Sequence, residues 1–223
     1  PRHDRADRGL QDATVAYTLS EAEYSDGSND FFTRTDGSNI SGGYSVAGFG
    51  GNSFFAAQDL DGDGTNPATM TFTLGITGLE NLSFAALFAE DDDGSAQDWD
   101  GSDGFTVTAN IDGNGPVLVF AIEAGGDLSN EVPQIDTDLD GIGDGAEITD
   151  TFTSYGAAIP GTGDTLELVL TFDLNAGDED LAIDDLTISG DLAVIPEPTA
   201  ALFGTLLASA LGLTVSRRPS DRC

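Results

Sequence analysis

Lysine is absent from this chain of 223 residues, and histidine and cysteine occur once each, at the extremes, as His3 and Cys223. A single terminal cysteine excludes an intrachain disulfide and a cysteine-built zinc cluster. With no lysine, and with the one histidine in a charged opening stretch, the Ser-His-Asp and Cys-His schemes and lysine nucleophiles are excluded as well. Positive charge is nearly missing: 7 arginines stand against 40 acidic residues, the formal net charge is -33, and Arg34 is the only cation between residues 9 and 216. So anionic a surface repels nucleic-acid phosphates and acidic headgroups, so no nucleic-acid partner is expected, and cations are its natural partners. Scattered carboxylates also serve solubility, and that reading stays open for most of them. Two positioned carboxylates would suffice to cleave a glycoside, but forty acids guarantee accidental pairs and none stands out, so an enzyme is not expected.

A strong helical period is also missing ahead of Thr199. Proline is sparse, glycine abundant, and short alternating runs recur between Asp-, Asn- and Gly-rich turns, the pattern of strands with one buried face. Met70, Phe72, Leu74 and Ile76 alternate with Thr69, Thr71, Thr73 and Gly75. Leu166, Leu168, Leu170 and Phe172 form a second inward row opposite Glu167, Val169, Thr171 and Asp173. Continuous apolar pieces at 83–89 and 117–122 read as strands central to a sheet, and 14–19, 52–57, 105–108, 150–155 and 181–188 complete the set. About ten strands predict an all-β domain at 14–190, a two-sheet jelly-roll-like β-sandwich, after a disordered remnant at 1–13.

The order of these pieces resembles a lectin-like jelly-roll domain of bacterial surface and secreted proteins. The likeness is carried by Asp30-Phe31-Phe32-Thr33-Arg34-Thr35-Asp36-Gly37, by the stretch from Phe54 to Gly62, by Gly161-Thr162-Gly163-Asp164-Thr165-Leu166, and by the stretch from Asn175 to Asp185. It implies a sandwich in which the last strand lies near the early ones, and it implies no reaction.

The strongest chemical motif is Asp136-Thr137-Asp138-Leu139-Asp140-Gly141-Ile142-Gly143-Asp144-Gly145-Ala146-Glu147. It fits a calcium loop with Asp136, Asp138 and Asp140 at positions one, three and five, Gly141 at six, the Ile142 carbonyl at seven, Asp144 at nine and Glu147 at twelve. Five carboxylates in twelve residues repel one another unless a divalent cation, Ca2+, neutralises them. Pro133 upstream and the β-branched sequel from Ile148 exclude the flanking helices of an EF-hand. The segment instead resembles the Asp-rich loops of dockerin and thrombospondin type 3 repeats, inserted at 136–147 into a sheet, with an affinity of roughly 10⁻⁴ to 10⁻³ M. A second, incomplete set is Asp59, Asp61 and Asp63, where position twelve would be Met70; it reads either as a polar turn or as a site borrowing Asp184 or Asp185. Trp99 lies in an acidic stretch at 90–103 that reads as a solvated loop, or as a place where a sugar ring stacks on the indole.

At the carboxyl end, Ile195-Pro196-Glu197-Pro198-Thr199 precedes an apolar run at 200–215, and Arg217 and Arg218 follow. The two prolines separate the domain, through a linker at 191–198, from a helix that can start at Thr199. The order of signature, apolar run and arginine cluster resembles the PEP-CTERM sorting tail of bacterial exported proteins, with 199–223 as a single C-terminal transmembrane helix and arginine cluster. The resemblance implies export, anchoring in the inner membrane with the domain outside, processing by an exosortase-type enzyme of the membrane, and residence at the cell surface or beyond it. The opening stretch 1–11 is charged and lacks an apolar core, so an export signal is expected either to have been removed or, the favoured reading, to lie outside a fragment. Together these readings predict an exported, calcium-stabilised surface or matrix module that binds polysaccharide, with a purely structural surface protein as the alternative and a carboxylate-based glycoside hydrolase behind both.

Overall fold

The chain doubles back on itself at Asp112-Gly113. Both residues have positive φ, 54° and 72°, in the tight turn between β7 (Gly104–Ile111) and β8 (Val117–Ala124). An Asp-Gly pair adopts that handedness readily, and the mirror-image turn it makes matches the twist of the strands it joins. The computed structural model describes residues 16–26, 30–40, 44–91, 99–126 and 130–193. From the β7–β8 turn outward, the chain pairs with itself in antiparallel steps. β6 (Leu79–Ala89) pairs with β10 (Thr153–Ala158), β5 (Ala68–Gly75) with β11 (Thr165–Asp173), and β4 (Phe54–Gln58) with β12 (Asp180–Leu192).

Successive pairs of this ribbon alternate between two sheets. One sheet has the order β1-β5-β11-β7-β8-β9 and the other β10-β6-β12-β4-β3-β2, with β1 (Tyr17–Leu19), β2 (Tyr24–Ser25), β3 (Phe31–Thr35) and β9 (Pro133–Ile135) added at the edges. Eight strands wound in this way are a jelly roll, so the expected two-sheet sandwich is present. The expected alternation holds where it was most regular: Leu166, Leu168, Leu170 and Phe172 are all fully buried, while Thr165 and Glu167 face solvent.

The main core fills the space between the sheets and is rich in edge-to-face aromatic pairs such as Phe105 with Phe172, 5.1 Å between ring centres. A second, smaller core covers the outer face of the β4 sheet. Ile40, Tyr44 and Phe152 pack there against Phe31, Phe54, Ala56 and Ala182. Burial of both faces explains why β4 is apolar from Phe54 to Ala57 and buried at every position.

The fold class requires one correction. The expected C-terminal transmembrane helix has no counterpart among the described residues, none of whose helices is long and apolar enough to cross a membrane. The one helix there, α1 (Leu60–Asp63), is a single turn whose Leu60 is fully buried. The apolar run at 200–215 that was expected to form that helix lies outside the described residues. Residues 194–223, with Pro196, Glu197, Pro198, Arg217 and Arg218, lie outside the described residues, as does the remnant expected at 1–13. β12 runs to Leu192, two residues into the stretch expected to be linker.

Candidate metal centre

The Asp-rich loop connects β9 to the strand β10, and backbone hydrogen bonds fix it to the edge of a sheet. Ile135 N–H donates to Ala146 O (3.0 Å) and Gly145 N–H to Ile135 O (2.8 Å), closing the loop at its neck. Asp136 N–H reaches Ala121 O (3.1 Å) and Gly143 N–H reaches Ala124 O (2.9 Å), both on β8. At Gly143 a Cβ would lie 2.5 Å from the carbonyl oxygen of Glu123 and 2.7 Å from Cβ of Gln134, so only glycine lets the loop approach this closely.

Inside the loop, Asp136 organises the turn. Its Oδ1 accepts from the N–H groups of Leu139 (2.6 Å) and Asp140 (3.3 Å), and its Oδ2 from Gly141 N–H (2.8 Å). Leu139 (φ 61°) and Gly141 (φ 91°) are both left-handed, and the chain curls around the Asp136 carboxylate. One carboxylate oxygen from each of Asp136, Asp138 and Asp140 then lies within 4.8 Å of the other two. Oxygens bound to one calcium ion at about 2.4 Å can be no more than about 4.8 Å apart, so this donor set fits a hard divalent cation. Asp136 is buried and Asp138 and Asp140 are exposed, which leaves the outer side open to water ligands. Repulsion from Asp140, and less from Asp144 and Asp136, holds the Asp138 carboxyl above its usual range.

Asp144 and Glu147 are not among the carboxylates that converge in this trio. Asp144 accepts from Thr137 N–H (2.9 Å) and Thr137 Oγ1 (2.7 Å), and these bonds lower its pKa. Ile142 is exposed, with its N–H on Asp140 Oδ1 (3.2 Å). Glu147 is exposed and its backbone bridges to Gln134.

The second set lies around α1. Asp59 precedes α1 with φ 47°, and its carboxyl is pushed up to about 6, by burial first and then by Asp30 and Asp61. Asp61 is exposed, and the side chain of Asp63 lies outside the described residues. Asp184 and Asp185 do not join it: Asp184 Oδ2 accepts from Gly50 N–H (3.0 Å), away on β12. Trp99 also differs from expectation. Its side chain is fully buried in the main core, so the indole offers no stacking surface; it sits where Trp99 O accepts from Glu131 N–H, 2.9 Å.

Buried carboxyls that the sequence reading passed over lie close by. Asp103 and Glu179 are each 2% exposed. Glu179 Oε2 accepts from the N–H groups of Asn175 (2.5 Å) and Ala176 (2.6 Å), and Asp103 accepts from Asn175 Nδ2 (2.7 Å) and Asp100 N–H (2.5 Å). Burial pushes Asp103 up to about 6, and burial together with the Asp103 charge pushes Glu179 up to about 8. Glu123 rises to about 7, through burial and then through Asp136, Asp173 and Asp103. Burial also raises Asp180 to about 7, against the lowering effect of its bond from the Tyr44 hydroxyl. Forty acids at scattered spacings give no local pattern that marks these four.

No family model matches the chain, and no curated protein matches it. Among solved structures it is similar to CBM35 from Cellvibrio japonicus Abf62, at 13% identity and a TM-score of 0.38, over 79% of this chain and 98% of that one. It is similar to the CBM22-1 xylan-binding domain from Paenibacillus barcinonensis Xyn10C, at 12% and 0.42, over 83% and 93%. It is also similar to the Stig cyclase Fisc from Fischerella sp. TAU, at 13% and 0.44, over 81% and 89%. Scores this low leave the jelly-roll assignment to the strand pairing itself.

Proposed function

We propose that this chain is a non-catalytic, calcium-stabilised β-sandwich module of an exported protein, with polysaccharide as its ligand class. The observation that carries the calcium reading is the convergence of Asp136, Asp138 and Asp140 oxygens in a loop whose neck is fixed to the sheet. Those three residues would hold the ion, with water completing the shell, and the ion would offset the repulsion that raises Asp138. The Pro196-Glu197-Pro198 signature and Arg217-Arg218 support export and processing by an exosortase-type enzyme. The lack of lysine and of a second histidine supports a binding rather than a catalytic role.

The test compares melting of the parent and an Asp138→Asn, Asp140→Asn double variant, in chelator and in 5 mM calcium. At about ten times Kd, bound calcium contributes roughly 1.4 kcal/mol, which for a domain of this size is about 3–6 °C. The parent should gain that shift and the variant should not. Equal responses would reject the metal reading. Glycan-array binding by the parent tests the ligand class separately, and an array with no hits would favour the purely structural alternative.

A further inference from the structure

We propose that the cleft between the two sheets is a binding site for a small amphipathic carboxylate, with its charged head on Arg34 and its apolar body between the sheets. The cleft encloses about 390 Å³, within the range of small-molecule sites and room for roughly thirteen water-sized groups.

Strand register shows which side chains face it. Ile183, Phe55 and Arg34 stand opposite one another across β12, β4 and β3, and Tyr17, Phe72 and Leu168 do so across β1, β5 and β11. Directly opposed residues share a face. Phe55, Ile183, Phe72 and Leu168 belong to the main core, so both rows point inward and Arg34 belongs to the inner face of its sheet. Its Nη2 donates to Tyr17 Oη (2.8 Å), joining the two sheets at the mouth of the cleft. Arg34 is the only cation in the chain between residues 9 and 216. Glu23, 3.9 Å from Nη2 and partly exposed, is too solvated to neutralise it fully.

The deeper wall is opened by a bulge. β12 shifts register against β6 between Asp184 and Thr187, and Asp185 takes φ 49°. Such a bulge redirects side chains. Here Leu186 lines the cleft together with Asp184, which accepts from Gly50 N–H, and Asp185, which lies beside Gly50. Most of the cleft lining is therefore apolar, Asp184 and Asp185 add negative charge at the bulge, and the one guanidinium at the mouth has remaining N–H groups that suit a carboxylate.

The probe is 4-phenylbutyrate, titrated at pH 7 by calorimetry against the full chain, with 4-phenyl-1-butanol as the uncharged analogue. The carboxylate should bind one to one with Kd on the order of 10⁻⁴ to 10⁻³ M and about tenfold tighter than the alcohol. Arg34→Met, which keeps the aliphatic stem, should abolish that preference. Leu74→Trp, which fills the cleft, should abolish binding of both compounds and covers the case in which the arginine variant does not fold. Chelator should change neither affinity, so this outcome is independent of the calcium reading. No carboxylate binding by the parent, an unchanged preference in Arg34→Met, or undiminished binding in Leu74→Trp would overturn the proposal.

Discussion

Glu179→Gln should stabilise this protein in alkaline solution and leave it unchanged in acid. Glu179 is buried against Asp103, and its carboxyl is pushed from an ordinary 4.5 up to about 8. Below pH 4.5 both the folded and the unfolded chain hold the proton. Between 4.5 and 8 the unfolded chain releases it while the folded chain keeps it, so stability is lost as pH rises and the loss is complete above about 8. Glutamine is the neutral isostere: its Oε1 can accept the Asn175 and Ala176 N–H groups, and its amide can donate to Asp103. One pH unit of displacement corresponds to about 1.4 kcal/mol. Asp103 shares the proton, so we expect about half of the full displacement, roughly 2 kcal/mol, or about 4–8 °C in melting temperature at pH 8.5. The assay is thermal unfolding of parent and variant in chelator from pH 4.5 to 8.5. A variant that melts below the parent at pH 8.5, or a difference that does not grow with pH, would refute the account of this pair.

Other outcomes follow from the same geometry. Gly143→Ala should cost about 1–3 kcal/mol in denaturant unfolding and weaken calcium binding, because its Cβ would meet the Glu123 carbonyl. Phe152→Ala empties the second core and should cost about 3–5 kcal/mol in the same measurement. Calorimetric calcium titrations should show a smaller affinity loss for Glu147→Gln than for Asp138→Asn, since Glu147 is not among the converging trio. Trp99→Phe should lower the melting temperature but leave any glycan binding as in the parent, because the indole is buried.

The regular parts of the sandwich were legible because their alternation is local. The 166–172 and 70–76 rows each carry their own periodicity, and both are strands with the expected inward faces. β3 and β9 were not assigned as strands: β3 is a five-residue piece with four buried positions, and β9 has three residues opening on a proline. Neither shows a period of two for long enough to read. In the Asp-rich loop the alternate spacing of Asp136, Asp138 and Asp140 was enough to anticipate that their carboxylates converge, because alternate residues of a tight turn do so. Glu147 is followed by no helix, and its backbone bridges to Gln134. The burial of Trp99 and the pairing of Asp103 with Glu179 join segments far apart in sequence, and local composition says nothing about such meetings.

Titration of calcium into chelator-treated protein by calorimetry tests the central claim most directly. The account predicts binding at one site with Kd of roughly 10⁻⁴ to 10⁻³ M, lost in the Asp138→Asn, Asp140→Asn variant. An absence of binding heat up to 10 mM calcium, or identical isotherms for parent and variant, would contradict it.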